Sequence, residues 1–240
     1  MSTGVLCVIP ARGGSKGLPR KNVLPLAGRP LVGYPIAAAK ASGVCDAIFV
    51  TTDDEEIAAV ARAEGADVPF LRPADLAGDL TTTEATLRHA LLAYESHTGR
   101  QFDICVFLTP TDIFRSPAWI ARAVNLLKEQ PKLESAFAGT ATHKNYWDRE
   151  PGGAWVRVLP WMRDYSSRQV RRKIYREDTG LACASRADIW RGGRRIGDVV
   201  EIIPNDLPET AIDIHTAFDL FLATKAIEYL RAHHPERLPV

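Results

Sequence analysis

The chain has 240 residues, 46% of them hydrophobic and 25% charged, with a formal net charge of +1. That size and balance suit one large globular α/β domain with room for a small appendage. A charge near zero argues against a general nucleic-acid binder, whose affinity rests on many phosphate-neutralising cations. No apolar run approaches the ~18 residues of a membrane-crossing helix. The four cysteines (Cys7, Cys45, Cys105, Cys183) are scattered without a CxxC pair, and three sit in or beside apolar runs. Reduced thiols in a cytoplasmic protein are the expectation. Residues 1–4 lead straight into a strand, with neither a basic n-region nor a long apolar h-region, which points the same way.

Residues 5–9, all apolar and closed by Pro10, read as a strand buried on both faces. A polar, glycine-rich loop follows to Asn22, and a helix is predicted over 30–41, with Pro at its start and Gly43 beyond its end. A second strand (47–51) leads into Asp53, Asp54, Glu55 and Glu56, acids suited to the positive end of a helix over 54–64. A short third strand is predicted at 68–71 and a helix over 82–97. A buried strand at 104–108 precedes a helix over 117–129. This alternation implies βαβ units and a mostly parallel sheet.

Residues 135–140 resume the sheet, and the pattern then breaks over 143–176, a stretch rich in aromatics, arginine and Pro/Gly turns. Gly152-Gly153 ahead of 154–159 predicts a hairpin, and the segment reads as an arm on a single domain spanning 1–240. His143, Trp147, Trp155 and Trp161 in this arm suit either base or sugar stacking or a dimer interface, where aromatics are enriched. From Arg157 to Arg195 there are 11 Lys/Arg against 4 Asp/Glu, either a solvated surface or one facing an anion. Regular structure returns at 181–185, at 199–203 and in an amphipathic helix over 216–233, whose His233-His234 reads as a frayed end.

The segment Ile9-Pro-Ala-Arg-Gly-Gly-Ser-Lys-Gly-Leu-Pro-Arg-Lys-Asn22 carries the chemistry. Glycines let the backbone approach an anion with its N–H groups forward, and Arg12, Lys16, Arg20 and Lys21 follow the C-terminal end of a strand. In an open α/β sheet that end is where ligands bind. The order fits neither GxxxxGK[ST] nor GxGxxG, which argues against a P-loop NTPase or a dinucleotide enzyme.

This segment resembles the signature of the CMP-sialic acid synthetase (N-acylneuraminate cytidylyltransferase) family. Phe70 to Asp79 resembles its RPxxLAxD element, and Leu108 to Arg115 its LQPTSPLR strand end. Arg168-Gln169, Tyr175-Arg176 and Thr179-Gly180 resemble its RRQ…YRxNGA region, and Ala211 to His215 its IDID metal element. The resemblance implies a three-layer, doubly wound, mostly parallel nucleotidyltransferase sheet with a protruding arm that dimerises and completes the partner's site. It implies attack of an acidic keto-sugar's anomeric hydroxyl on the α-phosphate of CTP, with Mg²⁺ present and pyrophosphate leaving.

On that basis Arg12, Lys16 and Lys21 clamp the triphosphate, Gly13, Ser15 and Asn22 add hydrogen bonds, and Arg72 with Asp79 define the nucleotide pocket. Arg12, Lys21 and Asp213 are the expected catalytic groups. Thr109, Arg115, Arg168, Gln169 and Tyr175 fall on the sugar side, and Asp213 is the expected Mg²⁺ ligand.

Three departures concern the acceptor or the metal. His215 stands where the family has a second Asp, and imidazole suits Mn²⁺-type ions better than Mg²⁺. An outer-shell role, a base or a helix cap fit it too. Thr109 to Phe114 replaces QPTSPL, putting Asp112 near an acidic acceptor unless Arg115 pairs with it. Glu177-Asp-Thr179 replaces a polar link. These leave open a different nonulosonate, another nucleotide on the same fold, or an inactive nucleotide-binding homologue.

Overall fold

A computed structural model describes residues 4–240; Met1–Thr3, part of the stretch read as leading directly into the first strand, lie outside the described residues. In chain order the first elements are β1 (Val5–Pro10), a small hairpin of β2 (Pro25–Leu26) and β3 (Arg29–Pro30), α1 (Gly33–Ser42) and β4 (Ala47–Thr51). They are followed by α2 (Glu55–Ala63), α3 (Thr83–Thr98), β5 (Ile104–Phe107), α4 (Pro117–Glu129) and β6 (Ser135–Thr142). The second half contains β7 (Trp147–Arg149), β8 (Trp155–Arg157), β9 (Ile174–Glu177), β10 (Cys183–Arg186), α5 (Ala187–Arg191), β11 (Val200–Asn205) and α6 (Ala217–His233).

The central sheet runs β11-β6-β10-β5-β1-β4, with β9 also pairing to β6. By their pairings β4, β1, β5, β6 and β11 point one way and β9 and β10 the other, so five of seven strands are parallel in direction. β1 shows why the sequence reads as a continuous apolar run. Val5, Cys7 and Ile9 pack with α1, α2 and α4 on one face, whereas Leu6 and Val8 pack with α3 and α5 on the other. A strand covered on both faces has no polar side to display. A third cluster seats α6 through Ala223, Ile227 and Leu230 on Leu26, Leu31, Tyr34, Ile113, Phe114 and Ile214.

Several expectations shift for local reasons. Residues 68–71 form no strand; only a single bridge, Phe49 to Asp67, survives. Pro69 has no N–H to continue a ladder, and the Val68 carbonyl is taken by the Arg62 guanidinium at 2.7 and 3.0 Å. The predicted helix over 30–41 begins only at Gly33, because Pro30 belongs to the small hairpin. Its turn residues Ala27 and Gly28 both have positive φ, 49° and 91°, the signature of a type I′ turn. The short helix α5, with buried Trp190, was not anticipated. The hairpin expected around Gly152-Gly153 is present as β7 paired with β8.

β9 and β10 lie end to end along β6, and their junction positions the cleft. Gly139 opposes Glu177 and Phe137 opposes Cys183, so residues 178–182 face Ala138 alone and bulge out of the ladder. Asp178 is fixed at the root of this bulge by Thr140 at 2.5 Å and Arg176 at 2.6 Å. At its crest, a Cβ on Gly180 would collide with the Asp112 carboxylate and lie 2.7 Å from Thr109 Oγ1. Gly180→Ala is therefore expected to destabilise the fold by about 1–3 kcal/mol in thermal or urea unfolding. Gly152→Ala, at a site with nothing within 4 Å, is the matched control and should leave stability within about 0.5 kcal/mol.

Candidate active site

A cleft of about 530 Å³ opens beyond the C-terminal ends of β1 and β5. Arg12, Ser15, Lys16, Lys21 and Asn22 from the loop after β1 form one wall, and Arg72 with residues 76–79 forms another. Thr109, Pro110 and Thr111 make the floor, and His215 and Thr216 close the side. Thr81, Thr83 and Thr86, at and beside the start of α3, also line it. Those threonines carry no motif and were not anticipated; their only signal is their place at a helix start.

The loop is folded by its own polar groups. Asn22, only 4% exposed, donates from Nδ2 to the Arg12 carbonyl at 2.9 Å and closes the loop on itself. The Gly13 N–H is held by Asp53 Oδ1 at 3.1 Å. Gly17 abuts the strap before α6 so closely that a Cβ there would stand 2.6 Å from the His215 carbonyl oxygen. Loop and strap can meet only because residue 17 lacks a side chain.

The cations of the loop and of the facing wall differ in how they are neutralised. Arg20, at a left-handed φ of 58°, reaches Asp54 at 2.6 Å and also pairs with Glu56. Arg72, 6% exposed, meets Asp53 at 3.4 Å. Arg12 and Lys16 share the Asp79 carboxylate at 3.0 and 2.5 Å. The acids at 53–56 thus do more than favour a helix start. Asp54 does cap α2, accepting from the Ile57 N–H at 3.0 Å, but this acidic run also braces the loop from below. Nothing in the spacing announces these pairings across tens of residues.

Lys21 is different. Among the described residues no carboxylate lies within ion-pair distance of it. Its Nζ donates to the Ile214 carbonyl at 2.9 Å and lies 3.4 Å from His215 Nδ1. Burial lowers its pKa from the ordinary lysine value, with the nearby Asp213 charge acting against that. His215 Nε2 is 2.8 Å from Asp213 Oδ2. Because Lys21 can only donate, the consistent tautomer accepts at Nδ1 and donates from Nε2 to Asp213. Both ring nitrogens are then spent on protein partners. The same strap ends in a capping box, with Thr216 and Asp219 starting α6.

On the floor, the Thr109 hydroxyl donates to Asp112 Oδ2 at 2.5 Å. Burial raises the Asp112 pKa, opposed by that hydrogen bond. Arg115, expected on the sugar side, lies elsewhere: it is 4% exposed and does not line the cleft. It donates to the carbonyls of Leu181 at 3.0 Å, Gly180 at 2.9 Å and Thr109 at 2.5 Å. Burial pushes its pKa down to about 10, although Asp112 favours the charge. It is a strut under the floor, and it forms no ion pair with Asp112.

The remaining expected residues divide. Arg12, Ser15, Lys16, Lys21, Asn22, Arg72, Asp79, Thr109 and His215 meet in the cleft, with Gly13 behind its wall and Asp213 behind His215. Arg168, Gln169 and Tyr175 are exposed and do not line it. Arg168 instead borders a separate hollow of about 380 Å³ with Lys144 and Arg171 at the base of the arm.

Comparison with known proteins fits this geometry. The cytidylyltransferase family model matches residues 6–238. The chain is 34% identical over 226 residues to the CMP-N,N'-diacetyllegionaminic acid synthase of Legionella pneumophila, covering 93% of this chain and 96% of that one. It is 38% identical over 144 residues to an N-acylneuraminate cytidylyltransferase of Escherichia coli, a match covering 60% of this chain and 33% of the relative. A CMP:2-keto-3-deoxy-manno-octonic acid synthetase solved with CTP shares the fold at a TM-score of 0.64 and 17% identity, over 98% of this chain and 100% of its own. The chain belongs to the cytidylyltransferase family.

Proposed function

We propose that the protein transfers CMP from CTP to the anomeric hydroxyl of an acidic nonulosonate sugar and releases pyrophosphate. The observation that carries this reading is Lys21, a partly buried ammonium without a carboxylate partner at the inner end of the phosphate loop. The reaction needs positioning and charge neutralisation, and no side-chain nucleophile, because the acceptor hydroxyl attacks. Arg12 and Lys16 hold the outer phosphates, Ser15 hydrogen-bonds them, and Lys21 offsets the charge that grows on the leaving pyrophosphate. Arg72 faces the nucleotide from the opposite wall.

Asp213 is the carboxylate for Mg²⁺ or Mn²⁺. Its Oδ1 has no protein partner, and among the described residues no three His, Cys, Asp or Glu side chains converge to cage a metal. One carboxylate oxygen suits a cation that keeps its waters and arrives on the phosphates. When bound, such an ion neutralises phosphate charge. His215 orients Asp213 and Lys21 and offers the metal no nitrogen.

The acceptor most worth testing is N,N'-diacetyllegionaminate. The relative named for that product matches across nearly its whole length, whereas the N-acylneuraminate relative matches over a third of its own. Arg168, Gln169 and Tyr175 serve the acceptor from a second copy in a homodimer. What supports this is their distance from their own cleft and the exposed aromatics of the arm, Trp147, Trp155 and Tyr165 at 47, 64 and 71%. Four free thiols and no helix apolar enough to cross a membrane among the described residues support a cytoplasmic setting.

A nucleotide panel with N,N'-diacetyllegionaminate, read by pyrophosphate release, is expected to give turnover with CTP; turnover with UTP or GTP but none with CTP would overturn the reading. Lys21→Ala should lower kcat/KM at least about a hundredfold while leaving the melting temperature within a few degrees. Asp213→Asn should abolish the dependence of turnover on added Mg²⁺ or Mn²⁺ and leave only a residual rate.

A further inference from the structure

We infer that Asp79 is an internal stand-in for the nucleotide's phosphates, held by Arg12 and Lys16 until a polyanion displaces it, so that it sets the affinity for triphosphate and pyrophosphate. The inference rests on the nucleotide-binding reading of this cleft and adds a competitor to it. Among the acids paired with the loop's cations, Asp79 alone lines the cleft; Asp53, Asp54 and Glu56 sit behind the loop. Each of its oxygens takes a different cation, Oδ1 from Arg12 at 3.0 Å and Oδ2 from Lys16 at 2.5 Å. A carboxylate bridging two cations in this way occupies the position a phosphate group would take.

The bridge is built to be broken. Lys16 is 76% exposed and Asp79 45%, so both can turn into water when a ligand arrives. Asp79 lies in a segment whose nearby hydrogen bonds are internal: Thr81 N–H to Gly78 at 3.1 Å and Thr81 hydroxyl to Asp75 at 3.4 Å. Leu80, next in the chain, is 97% exposed and packs on nothing. The two ion pairs are therefore what draws residues 77–80 towards the phosphate loop. Lys16 and Arg12 hold the Asp79 carboxyl below the usual carboxylate range, as expected of a carboxylate that bridges two cations.

Any ligand that uses both cations must overcome this pairing, and its departure lets the pairing re-form. Asp79 thereby weakens pyrophosphate retention as well as CTP binding. The resemblance-based expectation is the opposite: a pocket residue that contacts the nucleotide should weaken binding when lost.

The test is calorimetric titration of inorganic pyrophosphate and of cytidine, at low salt and without metal, into the full chain and its Asp79→Asn and Asp79→Glu variants. Asp79→Asn is expected to bind pyrophosphate about fivefold more tightly, the order expected for two half-exposed ion pairs, with cytidine affinity unchanged. Asp79→Glu, which keeps the charge, should stay within about twofold of the parent. Unchanged or weaker pyrophosphate binding in Asp79→Asn overturns the proposal, as does no pyrophosphate binding by either protein. Loss of cytidine affinity would assign Asp79 to the nucleoside instead and also overturn it. Melting temperatures confirm that the variants are folded. CTP turnover by the parent protein tests the enzymatic reading separately, because the pyrophosphate comparison needs no turnover.

Discussion

One buried guanidinium ties the floor of the cleft to the root of the arm. Arg115 donates to the carbonyls of Thr109, Gly180 and Leu181 and so ties the end of β5 to the bulge between β9 and β10. Backbone carbonyls thrown out of a ladder must find donors, and a buried carbonyl without one is costly. A charged donor with several N–H groups serves three of them at once. The strut has a cost of its own: Nη1 is buried without a partner, and burial pulls the pKa to about 10. Cutting the side chain would strand the carbonyls and loosen the floor and the root of the arm together.

The bulge also joins the arm to the sheet core beside the cleft floor. β9 leads out of the arm and β10 continues into the sheet core, with Asp178 pinned at the junction by Thr140 and Arg176. Arm and floor are therefore one mechanical piece. On the other side, Gly17 packs on the His215 backbone and Lys21 reaches the same strap, so the loop after β1 and the segment before α6 are tied together. The cleft lies between these two assemblies. Its third wall, residues 76–79, is joined to the loop by ion pairs to Asp79.

The parts of this design that could be read from the sequence are those governed by local pattern. Continuous apolar runs gave β1, β4 and β5, and glycine-rich cationic chemistry singled out the loop that walls the cleft. They could be read because burial on both faces and close anion approach leave a mark within ten or fifteen residues. The failures share the opposite cause. The segment 68–71 had strand-like residues, but Pro69 and the Arg62 side chain took away its ladder. Arg115 matched a motif, yet a motif does not record whether a guanidinium points at a ligand or at buried carbonyls. The pairing of Asp53 with Gly13 and Arg72 spans 40 and 19 positions and has no periodic signature.

The same contrast separates the two substrates. Every group assigned to the phosphates lies in one continuous loop or in walls bound to it by named hydrogen bonds and ion pairs. The residues proposed for the acceptor are divided between the floor and an arm whose Arg168 borders a different hollow. The cations of the cleft are held by partners within this chain, and Lys21 alone among them has, among the described residues, backbone and imidazole contacts but no carboxylate. Thr109, Asp112 and His215 are the residues at which this chain departs from the family pattern. Thr109 and Asp112 satisfy each other, and His215 satisfies Asp213 and Lys21. Each of these residues thus has its hydrogen-bonding need met within the chain.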